Sequence, residues 1–316
     1  MQKKDKGLTR RDFLRSAAGV AMAGAAGSRL VHAQEEDGQT KKAPVESEAP
    51  VRKTAGNRSA VVLIRDKDVI DDEGTINGEV IKRMLDEGVT ALLGASSPEE
   101  AWKRLIKPDD TVGIKSNAWR FMPTPPELEE AIMERVRSVG VAEDKVAVDD
   151  RRVLIHPVFK EATALINVRT LRTHHWSGVG SCIKNYIMFH RSPPSWHEDS
   201  CANLAGLWDL PEVKGKTRLN IQVMLTPLFH GKGPHHFQAK YTWPYKGMIL
   251  GVDPVAVDAT AVRVLEAQRK LFFGCDEPFS VPPKHIQVAE EKFHLGVADP
   301  GRIDVIKKGW AEGMLI

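Results

Sequence analysis

The stretch LRTHHWSGVGSCIKNY (171–186) gathers the side chains best suited to chemistry. It places His174 beside His175, then a Gly-Val-Gly turn, Cys182 and a Lys184–Asn185 step. A neutral imidazole accepts a proton near neutrality or ligates a metal, and a lysine offers a fixed charge or an amine nucleophile. His174 and His175 are therefore candidate proton carriers and Lys184 a candidate electrostatic or covalent anchor. The stretch reads as the floor of a ligand site. The plain alternative for the histidine pair is a turn that holds no ligand. Glycine amides running into a helix start also suit an anion, although the spacing matches neither a Walker loop nor a dinucleotide fingerprint.

Other polar groups stand where strands are expected to end. Lys115 and Asn117 close one strand and Arg120 follows it; Asp149 and Asp150 close another. On an open α/β sheet, ligands sit outside the carboxyl ends of the strands. This makes Lys115, Asn117, Asn185 and Asp150 candidate substrate-binding residues, with Arg120 as a candidate clamp for a carboxylate. The loop HGKGPHH adds His230, His235 and His236. His174, His175, His235 and His236 form a candidate set for a divalent metal; the alternative is a solvated loop with incidental histidines. HRSPPSWHEDS (190–200) reads as a lid. Asp253 precedes Pro254 and suits a helix cap, and Asp258, five residues on, lies off its helical face, so a paired-carboxylate mechanism is not expected.

The elements that would position these residues follow from periodicity. AVVLIR (60–65), TVGIKSN (111–117), KVAVDD (145–150), TALINVRT (163–170), LNIQVML (219–225), GMILGV (247–252) and RIDVIKKG (302–309) read as strands. NGEVIKRMLDEGVTALLG, PEEAWKRLI, PPELEEAIMERVRSVG and residues 253–270 read as helices, with Pro or acids at their starts and Gly at two of their ends. The expected fold class is α/β, a mostly parallel sheet flanked by helices, in one lobe or two closely packed lobes.

Residues 1–33 read as a leader: lysines, then TRRDFL, then AAGVAMAGAAG, then VHA before Gln34. The Arg10–Arg11 pair resembles a twin-arginine export signal. That implies passage through the twin-arginine translocase to the periplasm or exterior, with no stable membrane anchor after cleavage, because the apolar run is short and rich in Gly and Ala. Residues 34–57 are charged, Pro-containing and poor in large apolar groups, as in a flexible linker. Residues 58–316 form the remaining domain. The leader holds seven Lys/Arg and two Asp/Glu, which leaves 38 of the 45 basic and 40 of the 42 acidic residues. A near-neutral body gives no electrostatic case for nucleic acid. The three cysteines include no Cys-x-x-Cys, which excludes an intrachain four-cysteine iron–sulfur cluster. Cofactor identity stays open beyond a divalent metal, and the expected partner besides the translocase is a small-molecule ligand.

DDTVGIKSN, VRSVGV, KVAVDD, ALINVRTLRTHHWSGVGSCIKNYIM, GKGP and GVDPVAVDATAV occur in an order that resembles the domain of unknown function 362 family. The Thr173–His174 and Lys184–Asn185 pattern is the most specific part. The interval from TVGIKSN through KVAV, together with His174 to Lys184, is similar to the N-terminal domain of nickel-pincer lactate racemases. That likeness implies an arginine holding the substrate carboxylate, two histidines exchanging a proton and a lysine tethering a nicotinate-derived cofactor. By position these roles fall on Arg120, His174 or His175, and Lys184. DDRR stands where the second histidine is expected. The combined reading is an exported protein acting on a small carboxylate; the alternative is a non-catalytic metal- or small-ligand-binding protein.

Overall fold

The computed structural model describes residues 58–233 and 236–316. The expected leader and linker, and His235 of the candidate metal set, lie outside the described residues. The strands are β1 (Ser59–Arg65), β2 (Val112–Lys115), β3 (Val146–Asp149), β4 (Ala164–His174), β5 (Gly178–Gly180), β6 (Thr217–Leu228), β7 (Gly247–Gly251) and β8 (Ile303–Gly309). They form one eight-stranded sheet in the order β3-β2-β4-β6-β7-β1-β8, with β5 paired to β4. β7 runs antiparallel to β6 and β1, and β5 antiparallel to β4; the remaining neighbours are parallel. The mostly parallel α/β expectation holds, and one continuous sheet replaces the two-lobe alternative.

Side-chain alternation divides the interior into two cores. In β1, Val62 and Ile64 join the core beneath helix α1 (Gly78–Leu93), while Val61 and Leu63 join the core on the opposite face. Helix α1 buries Val80, Ile81, Met84, Leu85 and Val89 at helical spacing. Asn77 accepts from the Val80 amide at 3.3 Å to start it, and Gly94 ends it at φ 58°. Helices α2 (Pro98–Leu105) and α3 (Pro126–Ser138) share that face, α3 connecting β2 to β3. The short α4 (Pro157–Lys160) precedes β4. The other face carries α5 (Cys182–Asn185) and α7 (Pro254–Phe273), followed by α8 (Lys284–Glu291); α6 (Glu198–Cys201) lies in the expected lid. Asp253 caps α7 as expected, accepting from the Val255 amide at 2.8 Å and the Ala256 amide at 3.1 Å.

The strand order places a topological switch point between β2 and β4. From β2 the chain departs toward β3 at the sheet edge, whereas from β4 it departs toward β6 on the other side. Neighbouring parallel strands whose connections diverge leave their carboxyl ends uncovered, which is where ligands bind in such sheets. Lys115 ends β2 and His174 ends β4. β4 runs four residues past the expected Thr170, is buried throughout, and shifts register against β6 between Thr170 and Arg172. Such an irregularity re-aims the side chains beyond it.

Candidate functional site

The central strands carry polar residues where a buried sheet would ordinarily be apolar. Ala164, Ile166 and Val168 of β4 enter the α1-side core, so Asn167 and Arg169 face the side of α5. Asn167 Nδ2 donates to the Cys182 carbonyl at 3.0 Å and to Asn220 Oδ1 of β6 at 2.9 Å. Gln222 donates to the Arg169 carbonyl at 2.8 Å. None of these side chains is more than 5% exposed, and each hydrogen bond offsets a desolvation cost that an unpaired amide would leave standing.

Asn185, at the end of α5, ties the strands together. Its Nδ2 donates to Asn167 Oδ1 at 2.8 Å, the Val168 carbonyl at 3.0 Å and the Lys115 carbonyl at 3.1 Å. Its Oδ1 accepts from Arg169 at 3.0 Å and Lys115 at 3.3 Å. Lys115 is fully buried and its ammonium also reaches Asp150 at 2.6 Å and the Ser116 carbonyl at 2.7 Å. Asp150 accepts from the Ala118 amide at 2.9 Å. Burial lowers the Lys115 ammonium to about 8 against the support of Asp150. Burial pushes the Asp150 carboxyl up, but Lys115 outweighs it and holds the group below its ordinary value. Lys115, Asp150 and Asn185 do come together, and Asn117 joins through its Oδ1, which accepts from Arg172 at 2.8 Å. Their polar atoms are largely committed to one another. They form the frame of the site.

The start of α5 does not serve an outside anion. Asp258, fully buried on α7, accepts from the Cys182 amide at 2.8 Å, the Ile183 amide at 2.9 Å and the Ser181 hydroxyl at 2.6 Å. A carboxylate of the chain itself fills the position at which the Gly-rich stretch suits an anion. Burial raises this carboxyl to about 7 despite those three donors. Asp258→Ala is expected to lower the free energy of unfolding by about 2–3 kcal/mol, since two amides and a hydroxyl lose their acceptor in the interior. Asp258→Asn, which keeps one acceptor oxygen, should cost less. Equal denaturant midpoints for the two variants would remove the capping role.

Beyond the frame lies a set of buried cations without carboxylate partners. Arg169, Arg172 and Lys184 are 5%, 3% and 3% exposed, yet of these three and the neighbouring Lys115 only Lys115 forms an ion pair. The Nε atoms of Arg169 and Arg172 are buried without an acceptor. Arg172 lies over the Trp119 ring at 4.6 Å. The Lys184 ammonium has one recorded contact, Cys201 Sγ at 3.8 Å, and burial together with Arg169 and Arg172 lowers it to about 8. His174 is driven strongly down by burial and by Lys184, Arg169, His175 and Arg172, so its imidazole is neutral; its Nδ1 accepts from the Trp176 amide at 3.2 Å. His285 on α8 is fully buried with neither ring nitrogen paired, and burial, then Lys184 and Arg169, bring it down to about 3. Burial, then Lys184 and His175, lower His197 to about 4.

Three segments roof this cluster. The Gly231–Gly233 turn lies on the end of β4: a Cβ on Gly233 would fall 2.2 Å from the Thr173 carbonyl, and φ there is +66°. Gly178 (φ +72°) meets residues 281–283 equally closely, with a Cβ 2.3 Å from the Val281 carbonyl. The expected lid at 190–200 packs His197 against Trp176, ring centroids 4.2 Å apart and tilted by 43°. Lys284 reaches from α8 to Asp199 at 2.6 Å. Asp199, Ser200 and Cys201 take φ of 44°, 57° and 64° in succession. A run of left-handed non-glycine residues costs roughly 1–2 kcal/mol each, and here it delivers Cys201 to Lys184. A cleft of about 430 Å³ opens at Thr173 and Gly178, with Lys232 and Arg269 in its walls.

Arg120 does not reach this cluster. It is exposed on the 118–123 loop with its guanidinium 4.5 Å from the Phe121 ring centre. Arg169 and Arg172 supply the cationic groups instead. The run ALINVRT carries a signal for Arg169, a charged residue inside an otherwise apolar central strand, whereas Arg172 lies beyond the expected end of that strand. His285 and Cys201 carry no comparable sequence signal. His174 and His175 stack at 4.8 Å with a 19° interplanar angle, His230 hydrogen-bonds Arg269 at 3.2 Å, and His236 lines the cleft. Among the described residues no group of three His, Cys, Asp or Glu side chains is placed to hold a metal.

No curated protein and no solved structure matches the chain. Residues 128–263, which run from α3 through the first half of α7 and therefore include Asp150, Arg169, Arg172, His174, Lys184 and Asp258, match the family described as "Domain of unknown function (DUF362)".

Proposed function

We propose that the crevice between the ends of β2 and β4 binds a small carboxylate and that the chain acts on it, with Lys184 and the neutral His174 at the reacting end. One observation carries this reading: Arg169, Arg172 and Lys184 are buried together without carboxylate partners, two of them with an unsatisfied Nε. Buried cations are normally paired, and an unsatisfied buried donor marks the place of a missing acceptor. A carboxylate supplies two acceptor oxygens and a compensating charge. The cleft at Thr173 adjoins His174 in the chain; its walls carry Lys232, Arg269 and Glu277, and Arg169, Arg172 and Lys184 do not line it.

Calorimetric titration with L-lactate, using acetate and inorganic phosphate for comparison, tests the reading. Lactate is expected to bind, and Arg172→Met to weaken it by about a hundredfold, in line with 2–5 kcal/mol for truncating a buried charge pair. Affinity undiminished in both Arg169→Met and Arg172→Met defeats the proposal. A racemase reading gains little support from the region after β3, where the Asp150 carboxylate is committed to Lys115.

We also propose that the chain is exported by the twin-arginine route, on the order of basic, apolar and small-residue regions within residues 1–33. Among the described residues no helix is long and apolar enough to cross a membrane. Fractionation should place the wild type outside the cytoplasm and retain an Arg10→Lys/Arg11→Lys variant within it. Identical distributions for the two rule the route out.

A further inference from the structure

The carboxylate site contains two buried lysines, and their surroundings differ in kind. Lys115 has its ammonium among Asp150, the Ser116 carbonyl and Asn185, so all three N–H groups have oxygen acceptors. Lys184 has none. Its recorded contact is a thiol sulfur at 3.8 Å, a weak acceptor, and it is 3% exposed. Two unneutralised guanidinium groups stand near it, with neutral imidazoles at His174 and His285. Burial and the two guanidinium groups disfavour the ammonium, and the Cys201 thiol supports it only in part. A lysine that is desolvated beside other cations is activated as a nucleophile.

We infer that Lys184 forms an imine with the carbonyl carbon of a 2-oxo carboxylate whose carboxylate is held by Arg169 and Arg172. This rests on the carboxylate reading and narrows it. In a 2-oxo acid the carbonyl adjoins the carboxylate, so a ligand anchored on the guanidinium pair presents its electrophilic carbon close to the anchor, where the Lys184 amine stands. The Lys184 nitrogen attacks that carbon, and its lone pair becomes the new C–N bond. The carbonyl oxygen takes up the proton that the nitrogen gives up. Loss of that oxygen as water, with a second proton, leaves the C=N bond, so amine and ketone yield imine and one water with no oxidant or reductant. The unprotonated ring nitrogen of His285 is an acceptor for those protons, and His174, whose Nδ1 accepts from the Trp176 amide, presents an N–H donor at Nε2. The lowering of the lysine to about 8 leaves a usable fraction of free amine near neutrality.

The test uses the full chain, purified, with pyruvate and glyoxylate as probes and cyanoborohydride to reduce any imine. Peptide mass mapping is expected to place the reduced adduct on Lys184 at least tenfold faster than on any other lysine, Lys115 included. Thermal shifts with L-lactate and pyruvate are read in parallel, because lactate has the carboxylate and no ketone. Stabilisation by both ligands with no preference for Lys184 in the adduct map overturns the imine and leaves the carboxylate site standing. Stabilisation by neither overturns both. The mapping is done on the wild type, so it does not depend on a Lys184 variant folding.

Discussion

Asp150→Ala is expected to lower the free energy of unfolding by about 3–5 kcal/mol, the usual cost of removing one partner from a buried ion pair. Lys115 would remain fully buried with its charge uncompensated, facing Arg169 across Asn185. The pair stands at the hub of the site, so the variant should also loosen Asn185 and, through it, the placement of α5. Lys115→Met/Asp150→Ala should recover part of the loss. Recovery is incomplete because the Ala118 amide and the Ser116 carbonyl still lose their partners. Denaturant titration of the four proteins in the cycle measures the coupling. A coupling energy near zero would show that the pair does not act as a unit. The pH dependence has a definite sign. The carboxyl of Asp150 sits below its ordinary value in the folded chain, so its contribution is present above the unfolded-state value and is lost as pH falls through the folded one.

Lys184→Met should do the opposite. It replaces a buried ammonium lacking an oxygen acceptor with an apolar side chain of similar length, and it is expected to raise the free energy of unfolding at pH 7 by on the order of 3 kcal/mol. The group falls from 10.5 to about 8 on folding. Between those values the unfolded chain binds the proton and the folded chain does not, so wild-type stability rises with pH across the window. Lys115 shows the same fall and adds to the rise. The variant should therefore show a shallower climb, and its advantage over the wild type should vanish above about pH 10.5. It should also lose carboxylate binding. Gain of stability with loss of binding is the signature of a group kept at a cost for function. A variant less stable than the wild type at pH 7 contradicts that role for Lys184.

Much of the fold was legible from local pattern. Val80, Ile81, Met84 and Leu85 announce α1, Pro98 and Pro126 stand at the first positions of α2 and α3, and Asp253 caps α7 as its place before Pro254 suggests. The true length of β4 was not. Arg172, Thr173 and His174 look like loop chemistry, and nothing local reveals that a frame of amides and a carboxylate lets them sit inside a sheet. The same limit governs the site. The strand-end rule located Lys115, Asp150 and the His174–Lys184 interval, because ends of parallel strands share one edge wherever the sheet forms. It could not tell Arg120 from Arg169 and Arg172, since Arg120 lies on an exposed loop and Arg172 takes its place only beyond the register shift that follows Thr170. His285 approaches from more than a hundred residues downstream of His174, on a helix absent from the sequence reading. The Asp258 contact with α5 likewise spans 75 residues or more.

The position of β1 has a consequence for how the molecule is made. That strand, the earliest in the described chain, is hydrogen-bonded between β7 and β8, so Val61 meets Gly251 on one side and Val305 on the other. Among the described strands, β1 is made before all the others and cannot satisfy its second edge until β8 has emerged. Contacts this remote in sequence are slow to close. Until β8 is made, the open hydrogen-bonding edge of this apolar strand must be shielded from other chains.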